Sequence, residues 1–186
     1  MNIFDQQDLR LRTLEAKDAN LLVKWLSDPV VLEFYEGRDR PHDLELVMKH
    51  FYRGQEKVTR CIVQYREREI GYLQFYPIDE EEVEEYGYTG FQGAIFGMDQ
   101  FIGEPDLWNH GIGSRLIKQT VNYLIEEKQA DKIVMDPQAW NKRAMRVYEK
   151  CGVVKKKYLE KHEMHEGELR DCWLIEYDAW EQKGEP

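Results

Sequence analysis

Residues 97–116, GMDQFIGEPDLWNHGIGSRL, constrain the fold of this chain more than any other stretch. An apolar run that contains Asp99 leads through a loop into the turn GIG, and the apolar residues that follow have helical spacing. Glycines let a backbone approach a ligand closely, and a helix start exposes N–H groups that carry about half a positive charge. The segment therefore predicts a strand-to-helix junction that can bind an anion, most naturally a phosphate. A tight loop before an ordinary amphipathic helix gives the same pattern, so the motif alone does not distinguish an anion site from a simple turn.

The rest of the chain predicts an α+β fold whose sheet is largely antiparallel and turns parallel around one helix. Alternating or β-branched runs predict strands at 9–14, 58–65, 70–76, 93–102, 132–136, 153–159 and 171–177. Apolar residues at helical spacing predict helices at 18–26, 44–54, 111–128 and 141–151, with Asp18 and Asn141 as caps. The last of these helices has Ala144, Val147, Tyr148 and Cys151 as its apolar stripe. The acidic run at 79–87 is expected to be a loop.

Size and charge limit the classes of function. A chain of 186 residues with 42% hydrophobic content is expected to form one domain, residues 1–186, and to need no disulfide or metal to fold. A formal net charge of −10 disfavours nucleic acid and anionic membranes and favours cationic partners. The start lacks a secretory pattern and the three cysteines are widely spaced, so we expect a cytoplasmic protein with reduced core thiols.

The junction resembles the signature of the GNAT superfamily of acetyl-CoA-dependent N-acetyltransferases. That signature is Gln/Arg-x-x-Gly-x-Gly/Ala, and here the hexamer reads WNHGIG, with Trp108 in place of the first polar residue. The resemblance implies the GNAT fold, with helices on both faces of a mixed sheet, and acetyl-CoA as cosubstrate. It places the pyrophosphate on the backbone amides of His110, Gly111, Ile112, Gly113 and Ser114, and the pantetheine arm near Asn141 and Ala144.

Five further segments resemble the aminoglycoside 6′-N-acetyltransferases, including the acetyltransferase half of a bifunctional acetyltransferase/phosphotransferase, and the similarity runs over nearly the whole chain. They are EFYEGRD, IGYLQFY, FGMDQFIGEP, DPQAWNKRAMRVYEKCG and HEMHEG. The resemblance implies transfer of acetyl to the 6′-amine of kanamycin-like antibiotics, with no phosphotransferase half expected here. Candidate acceptor contacts by this resemblance are Phe34, Tyr35, Gln74, Tyr76, Asp136, Glu166 and an unidentified acid within 79–85.

The resemblance also implies two catalytic residues. Asp99 corresponds to the carboxylate that faces the reactive amine, and an acid inside an apolar strand is costly to bury without a partner. A carboxyl of pKa about 3.9 is a weak base for an ammonium of pKa about 10, so we expect Asp99 chiefly to orient the amine. By resemblance, Tyr148 protonates the departing thiolate of CoA, although its position alone indicates only a core aromatic residue.

Other interpretations stay open. Asp99 could simply cap a backbone N–H at a strand end, and Phe34 could serve only in packing. The same fold could acetylate a polyamine or a protein N-terminus, or it could bind acyl-CoA without catalysis. His162 and His165 lack the third ligand of a hydrolase motif, so we expect no metal and interpret both as solvent-exposed loop residues.

Overall fold

The strands of the computed structural model form one eight-stranded sheet with the order β1-β2-β3-β4-β5-β6-β8-β7. The structure describes residues 1–54, 56–182 and 184. The strands are β1 (Asn2–Gln6), β2 (Leu9–Thr13), β3 (Thr59–Tyr65), β4 (Arg68–Pro77), β5 (Ile95–Ile102), β6 (Lys132–Met135), β7 (Val154–His165) and β8 (Glu168–Asp178). The helices are α1 (Ala19–Trp25), α2 (Pro29–Leu32), α3 (Leu44–Phe51), α4 (Glu80–Glu85), α5 (Ile112–Lys128), α6 (Lys142–Lys150) and α7 (Ala179–Gln182).

Strand pairing confirms the predicted sheet. The β1–β2, β2–β3 and β3–β4 pairs are antiparallel. The β5–β6 pair is parallel, with Ile95 opposite Lys132 and Gly97 opposite Val134, and α5 is the connection that parallel strands require. Antiparallel pairing resumes between β6 and β8. The fold is therefore α+β with a mixed, largely antiparallel sheet.

The chain forms two compact units, each made of several segments. The first contains residues 1–75, 99–113 and 165–168, and the second contains residues 76–98, 114–164 and 169–186. Whether they act as one domain, as the sequence predicts, stays a prediction. Within the described residues no helix is long and apolar enough to cross a membrane.

The first unit is built around an aromatic core. Trp25 is fully buried and stands edge-on to Phe101, with ring centroids 6.0 Å apart, while Tyr72 stacks on Phe101 at 5.8 Å. Gly103 makes room for this packing, because a Cβ there would lie 2.3 Å from the Trp25 ring. The core therefore fixes the strand β5 on which Asp99 lies and the start of the loop that follows it.

The predicted role of Asp18 as a helix cap is wrong. Asp18 precedes α1, but its side chain caps no N–H of that helix. Its buried carboxylate instead accepts two hydrogen bonds from Arg12, at 2.7 and 2.9 Å, and one from the backbone N–H of Glu15. Burial would raise the pKa of Asp18, but these hydrogen bonds lower it. The pair is a structural anchor that local sequence did not reveal.

The second unit is packed around β6, β8 and the amphipathic helices. The apolar residues whose helical spacing predicted α5 lie on one buried face, which includes Leu116, Ile117, Val121 and Leu124. Asn141 caps α6 as predicted, accepting a hydrogen bond of 3.2 Å from the N–H of Ala144. The predicted stripe of α6 omits Met145, which is buried.

Three local predictions are corrected. The acidic run expected to be a loop contains α4, whose start is a capping box in which Asp79 and Glu82 satisfy each other's N–H groups. The last two strands extend several residues beyond their predicted ends, and the short elements β1, α2 and α7 were not predicted. The three cysteines are free and buried, as expected.

Candidate functional site

Asp99 lies in β5 and is held by a short chain of neutral hydrogen-bond donors. Its Oδ2 accepts a hydrogen bond of 2.8 Å from Nε2 of Gln74, whose Oε1 accepts one of 2.8 Å from the hydroxyl of Tyr72. Tyr72 is fully buried, and this burial raises the pKa of its phenol, so the hydroxyl stays a donor. The amide of Gln74 is thereby fixed in one orientation. The arrangement holds the half-buried carboxylate of Asp99 in a defined orientation.

Aromatic candidates near β5 take part in packing within the first unit. The ring of Tyr35 lies 4.6 Å from that of Phe101. Phe34 stands edge-on to Trp108 at 5.6 Å, and the indole N–H of Trp108 donates to the carbonyl of Ile102 at 2.9 Å. Trp108 occupies the first position of the GNAT signature, and the hydrogen bond of its indole N–H to Ile102 links the loop after β5 to the end of that strand. Phe34 and Tyr35 thus line the same part of the unit as this loop.

The start of α5 presents backbone rather than side chains. His110 and Gly111 are exposed, and Gly111 has a φ of 77° with nothing within 4 Å of the position a Cβ would take. This left-handed conformation favours glycine, and it turns the chain into a helix of 17 residues. Ser114 is half-buried, and its carbonyl accepts a contact of 3.5 Å from the thiol of Cys151. Such a helix start can hold an anion on its N–H groups.

The remaining candidates of the second unit lie on β4, β5 and α6. Tyr76 is half-buried and its ring covers Gly97, where a Cβ would lie 2.6 Å from a ring carbon. Tyr148 and Ala144 are half-buried on α6, one helical turn apart. Gly97 is therefore required by the close approach of Tyr76.

Asp136 follows β6 and belongs to a charged cluster within the second unit. Its Oδ2 lies 2.8 Å from Nε2 of His162 and accepts a hydrogen bond of 3.1 Å from the hydroxyl of Tyr86. The other imidazole nitrogen, Nδ1, lies 3.0 Å from Oε1 of Glu85. The hydrogen bond with Asp136 raises the pKa of His162, against the lowering effect of its burial. Among the acids of 79–85, Glu85 contacts His162.

The prediction of two exposed loop histidines is wrong. His162 lies within β7 with 14% of its side chain exposed, and His165 ends the strand and is buried. Local sequence missed His162 because the strand was expected to end near residue 159. The available signal was the spacing, since a strand that continues past residue 159 places His162 on one of its faces.

Glu166 is occupied by an ion pair within the first unit. Its two oxygens accept hydrogen bonds of 2.6 and 2.8 Å from Nε and a terminal nitrogen of Arg38, and a third hydrogen bond comes from the N–H of Arg38. Arg38 lowers the pKa of Glu166 to about 2. Among the described residues no group of three or more histidines, cysteines or acids could hold a metal ion.

Comparison with known proteins assigns the family. Residues 15–161 match the family described as Acetyltransferase (GNAT) domain. The aminoglycoside N(6')-acetyltransferase type 1 of Klebsiella pneumoniae is 28% identical over 145 residues, which are 76% of this chain and 72% of that protein.

Solved structures show the same fold. AAC(6')-Ib in complex with ribostamycin and coenzyme A has a TM-score of 0.77 at 24% identity, over 96% of this chain and 97% of that one. A spermidine N-acetyltransferase from Vibrio cholerae, in complex with coenzyme A and spermine, has a TM-score of 0.74 at 18% identity, over 94% of this chain and 98% of that one. The family match covers more than half of the sequence, and the chain therefore belongs to the GNAT acetyltransferases.

Proposed function

We propose that this acetyltransferase transfers an acetyl group from acetyl-CoA to the 6′-amine of aminoglycoside antibiotics. The observation that carries the proposal is the oriented carboxylate of Asp99, in the strand that leads to the helix start of the GNAT signature. The similarity to a curated aminoglycoside 6′-N-acetyltransferase supports the choice of acceptor. A net charge of −10 supports a polycationic substrate.

The donor site is assigned to the start of α5 and to α6. Acetyl-CoA supplies an acetyl group activated as a thioester. The backbone amides of residues 110–114 hold its pyrophosphate, and the left-handed Gly111 leaves the approach open. Asn141, which caps the start of α6, and Ala144 would contact the pantetheine arm.

Asp99 orients the attacking amine. Its carboxylate, oriented by the hydrogen bond from Gln74, binds the ammonium. One proton of the ammonium leaves to water before attack, which frees the lone pair of the nitrogen. The nitrogen becomes more acidic as it bonds to the acyl carbon, and Asp99 can then accept its second proton. Orientation within a defined geometry contributes more to the rate than the basicity of the carboxylate.

Tyr148 protonates the leaving thiolate of CoA. When the carbon–sulfur bond breaks, the sulfur takes the electron pair as a thiolate and the phenol of Tyr148 gives it a proton. An ordinary phenol of pKa about 10 facing a thiol of about 8.5 makes this transfer mildly uphill at most. Tyr148 therefore acts as a general acid, and the phenolate is reprotonated from water.

The acceptor is bound by dispersed acids and aromatic faces. Phe34, Tyr35 and Tyr76 provide ring surface, Gln74 positions Asp99, and Asp136 binds a further ammonium group. Polyamine sugars carry several separated charges, so dispersed carboxylates suit them better than one tight pair. Glu166, a further candidate acceptor contact, is bound to Arg38 within the first unit.

A second acceptor class is a linear polyamine, favoured by the fold similarity to a spermidine N-acetyltransferase. A panel of kanamycin, spermidine and an N-terminal peptide, assayed for acetyl-CoA-dependent thiol release, separates the possibilities. We expect release with kanamycin, and loss of that release in the Tyr148→Phe variant by about 100-fold in kcat. Release with spermidine alone would contradict the aminoglycoside assignment, and binding of CoA without turnover of any amine would indicate a noncatalytic module.

A further inference from the structure

The imidazole of His162 has a carboxylate on each of its two nitrogens. Nε2 lies 2.8 Å from Asp136 and Nδ1 lies 3.0 Å from Glu85. A neutral imidazole has only one N–H, so one of these contacts would set a lone pair against a carboxylate. Both contacts are satisfied together only when the ring carries two protons and a positive charge. The geometry therefore favours the doubly protonated, positively charged imidazole between the two carboxylates.

Among the described residues, the charged groups that act on the His162 ring are the carboxylates of Asp136 and Glu85. The His162 ring faces Glu85 at the end of α4. Asp136, which follows β6, is in turn close to Glu82 and to the hydroxyl of Tyr86. On its own strand, Lys157 donates to the backbone oxygen of Glu85 rather than to a carboxylate. On β8, Asp171 is bound by the hydroxyl of Tyr158 and the N–H of Lys161. The charge of the Asp136–His162–Glu85 trio is therefore set by the imidazole.

We propose that His162 sets the charge of the Asp136–Glu85 acidic cluster and thereby its affinity for the ammonium groups of an acceptor. The inference rests on the proposed function, because it takes Asp136 to be an acceptor contact. With His162 protonated the trio carries a net charge of −1, and with His162 neutral it carries −2. His162 is a charge-setting residue in this account and touches no reacting atom.

The sign of the pH dependence follows from the contacts. The hydrogen bond with Asp136 raises the pKa of His162, so the trio stays at −1 to a higher pH than an ordinary histidine would allow. As pH rises through that pKa the trio gains negative charge and cation binding strengthens. By linkage, a bound cation must favour release of the proton from His162.

Two variants test the inference at opposite ends of the pH range. His162→Gln keeps one N–H donor toward Asp136 and is never charged, whereas His162→Lys stays charged. The KM for kanamycin of each variant is divided by that of the unaltered protein between pH 6 and 9, which cancels ionisation of the substrate. We expect the His162→Gln ratio to be about 0.2 at pH 6 and to rise to one at pH 9. The His162→Lys ratio should be near one at pH 6 and about five at pH 9.

The matched control is His50→Gln, which removes a histidine on α3 that contacts His42. Its KM ratio should stay flat, and kcat should change less than twofold in all three variants. Ratios for both His162 variants that do not change with pH would overturn the inference, even if kanamycin is a good substrate.

A second readout separates failure of the inference from failure of the proposed function. Absence of kanamycin turnover by the unaltered protein would refute the proposed acceptor. An NMR titration of the His162 ring then tests whether Asp136 holds the proton on the imidazole. The titration midpoint of His162 must shift to lower pH in Asp136→Asn. An unshifted titration in that variant would overturn the inference as well.

Discussion

Asp99 in the first unit and Asp136 in the second unit are held in different ways. In the first unit, Asp99 accepts a hydrogen bond from the amide of Gln74, which is neutral at every pH. In the second unit, Asp136 is bound by His162, whose charge changes with pH, and by the phenol of Tyr86. A neutral donor fixes a carboxylate and preserves its charge, whereas an imidazolium fixes it and neutralises it. We therefore propose a role in the chemistry for Asp99 and a role in adjustable affinity for Asp136.

The largest effect is expected from Asp99→Asn. The amide keeps the shape of the side chain but removes the charge that holds the ammonium and the base that takes its proton. We expect kcat/KM for kanamycin to fall about 100-fold or more, measured by thiol release. The control Asp106→Asn alters an exposed acid paired with Arg68 and should change kcat/KM less than twofold. Equal, small effects of the two substitutions would remove Asp99 from the mechanism.

A smaller effect, confined to binding, is expected from Asp136→Asn. The substitution removes one acceptor carboxylate from the cluster, so KM for kanamycin should rise about tenfold while kcat stays within twofold. Asp171→Asn on β8 is the matched control, since this half-buried acid is bound to the hydroxyl of Tyr158. If Asp136→Asn lowered kcat as much as Asp99→Asn does, the contrast between the two carboxylates would be wrong.

The sequence predicted most of the sheet because its strands and long helices carry clear periodicity. The stripe of α5 and the cap at Asn141 are local properties, and both are confirmed. It did not predict α4, because the capping box of Asp79 and Glu82 stabilises a run of acids that composition alone assigns to a loop. Acids in the first turn of a helix also interact favourably with its dipole.

The candidate site was predictable only in part, because its side chains are oriented by residues distant in the chain. The Gln74–Asp99 hydrogen bond joins residues 25 positions apart, and the Asp136–His162 contact joins residues 26 apart. No local pattern indicates either pairing. Resemblance supplied Asp99 and Asp136, but it supplied neither the donor chain behind the first nor the imidazole beside the second.

An intermediate effect is expected from Gln74→Met, which keeps the length of the side chain and removes both hydrogen bonds. Asp99 loses its fixed orientation and keeps its charge, so kcat should fall about tenfold with little change in KM. Gln64→Met on β3, which removes a hydrogen bond to Glu69, is the control and should leave kcat unchanged. An unaltered kcat in Gln74→Met would show that the donor chain does not position Asp99.

The smallest effect is expected from Glu166→Gln. Both oxygens of Glu166 are bound by Arg38, so the pair presents little net charge to a cationic acceptor. We expect KM for kanamycin to change by about twofold or less at pH 7.5. Because Arg38 lowers the pKa of Glu166 to about 2, the pair should persist as pH falls to 5. A tenfold rise in KM would instead make Glu166 a direct acceptor contact.

The most direct test of the account is to incubate the protein with acetyl-CoA and kanamycin and to locate the acetyl group on the product by NMR. The account predicts stoichiometric release of the CoA thiol and a single acetyl group on the 6′-nitrogen, both lost in Asp99→Asn. An acetyl group on a different nitrogen, or full activity in Asp99→Asn, would contradict it.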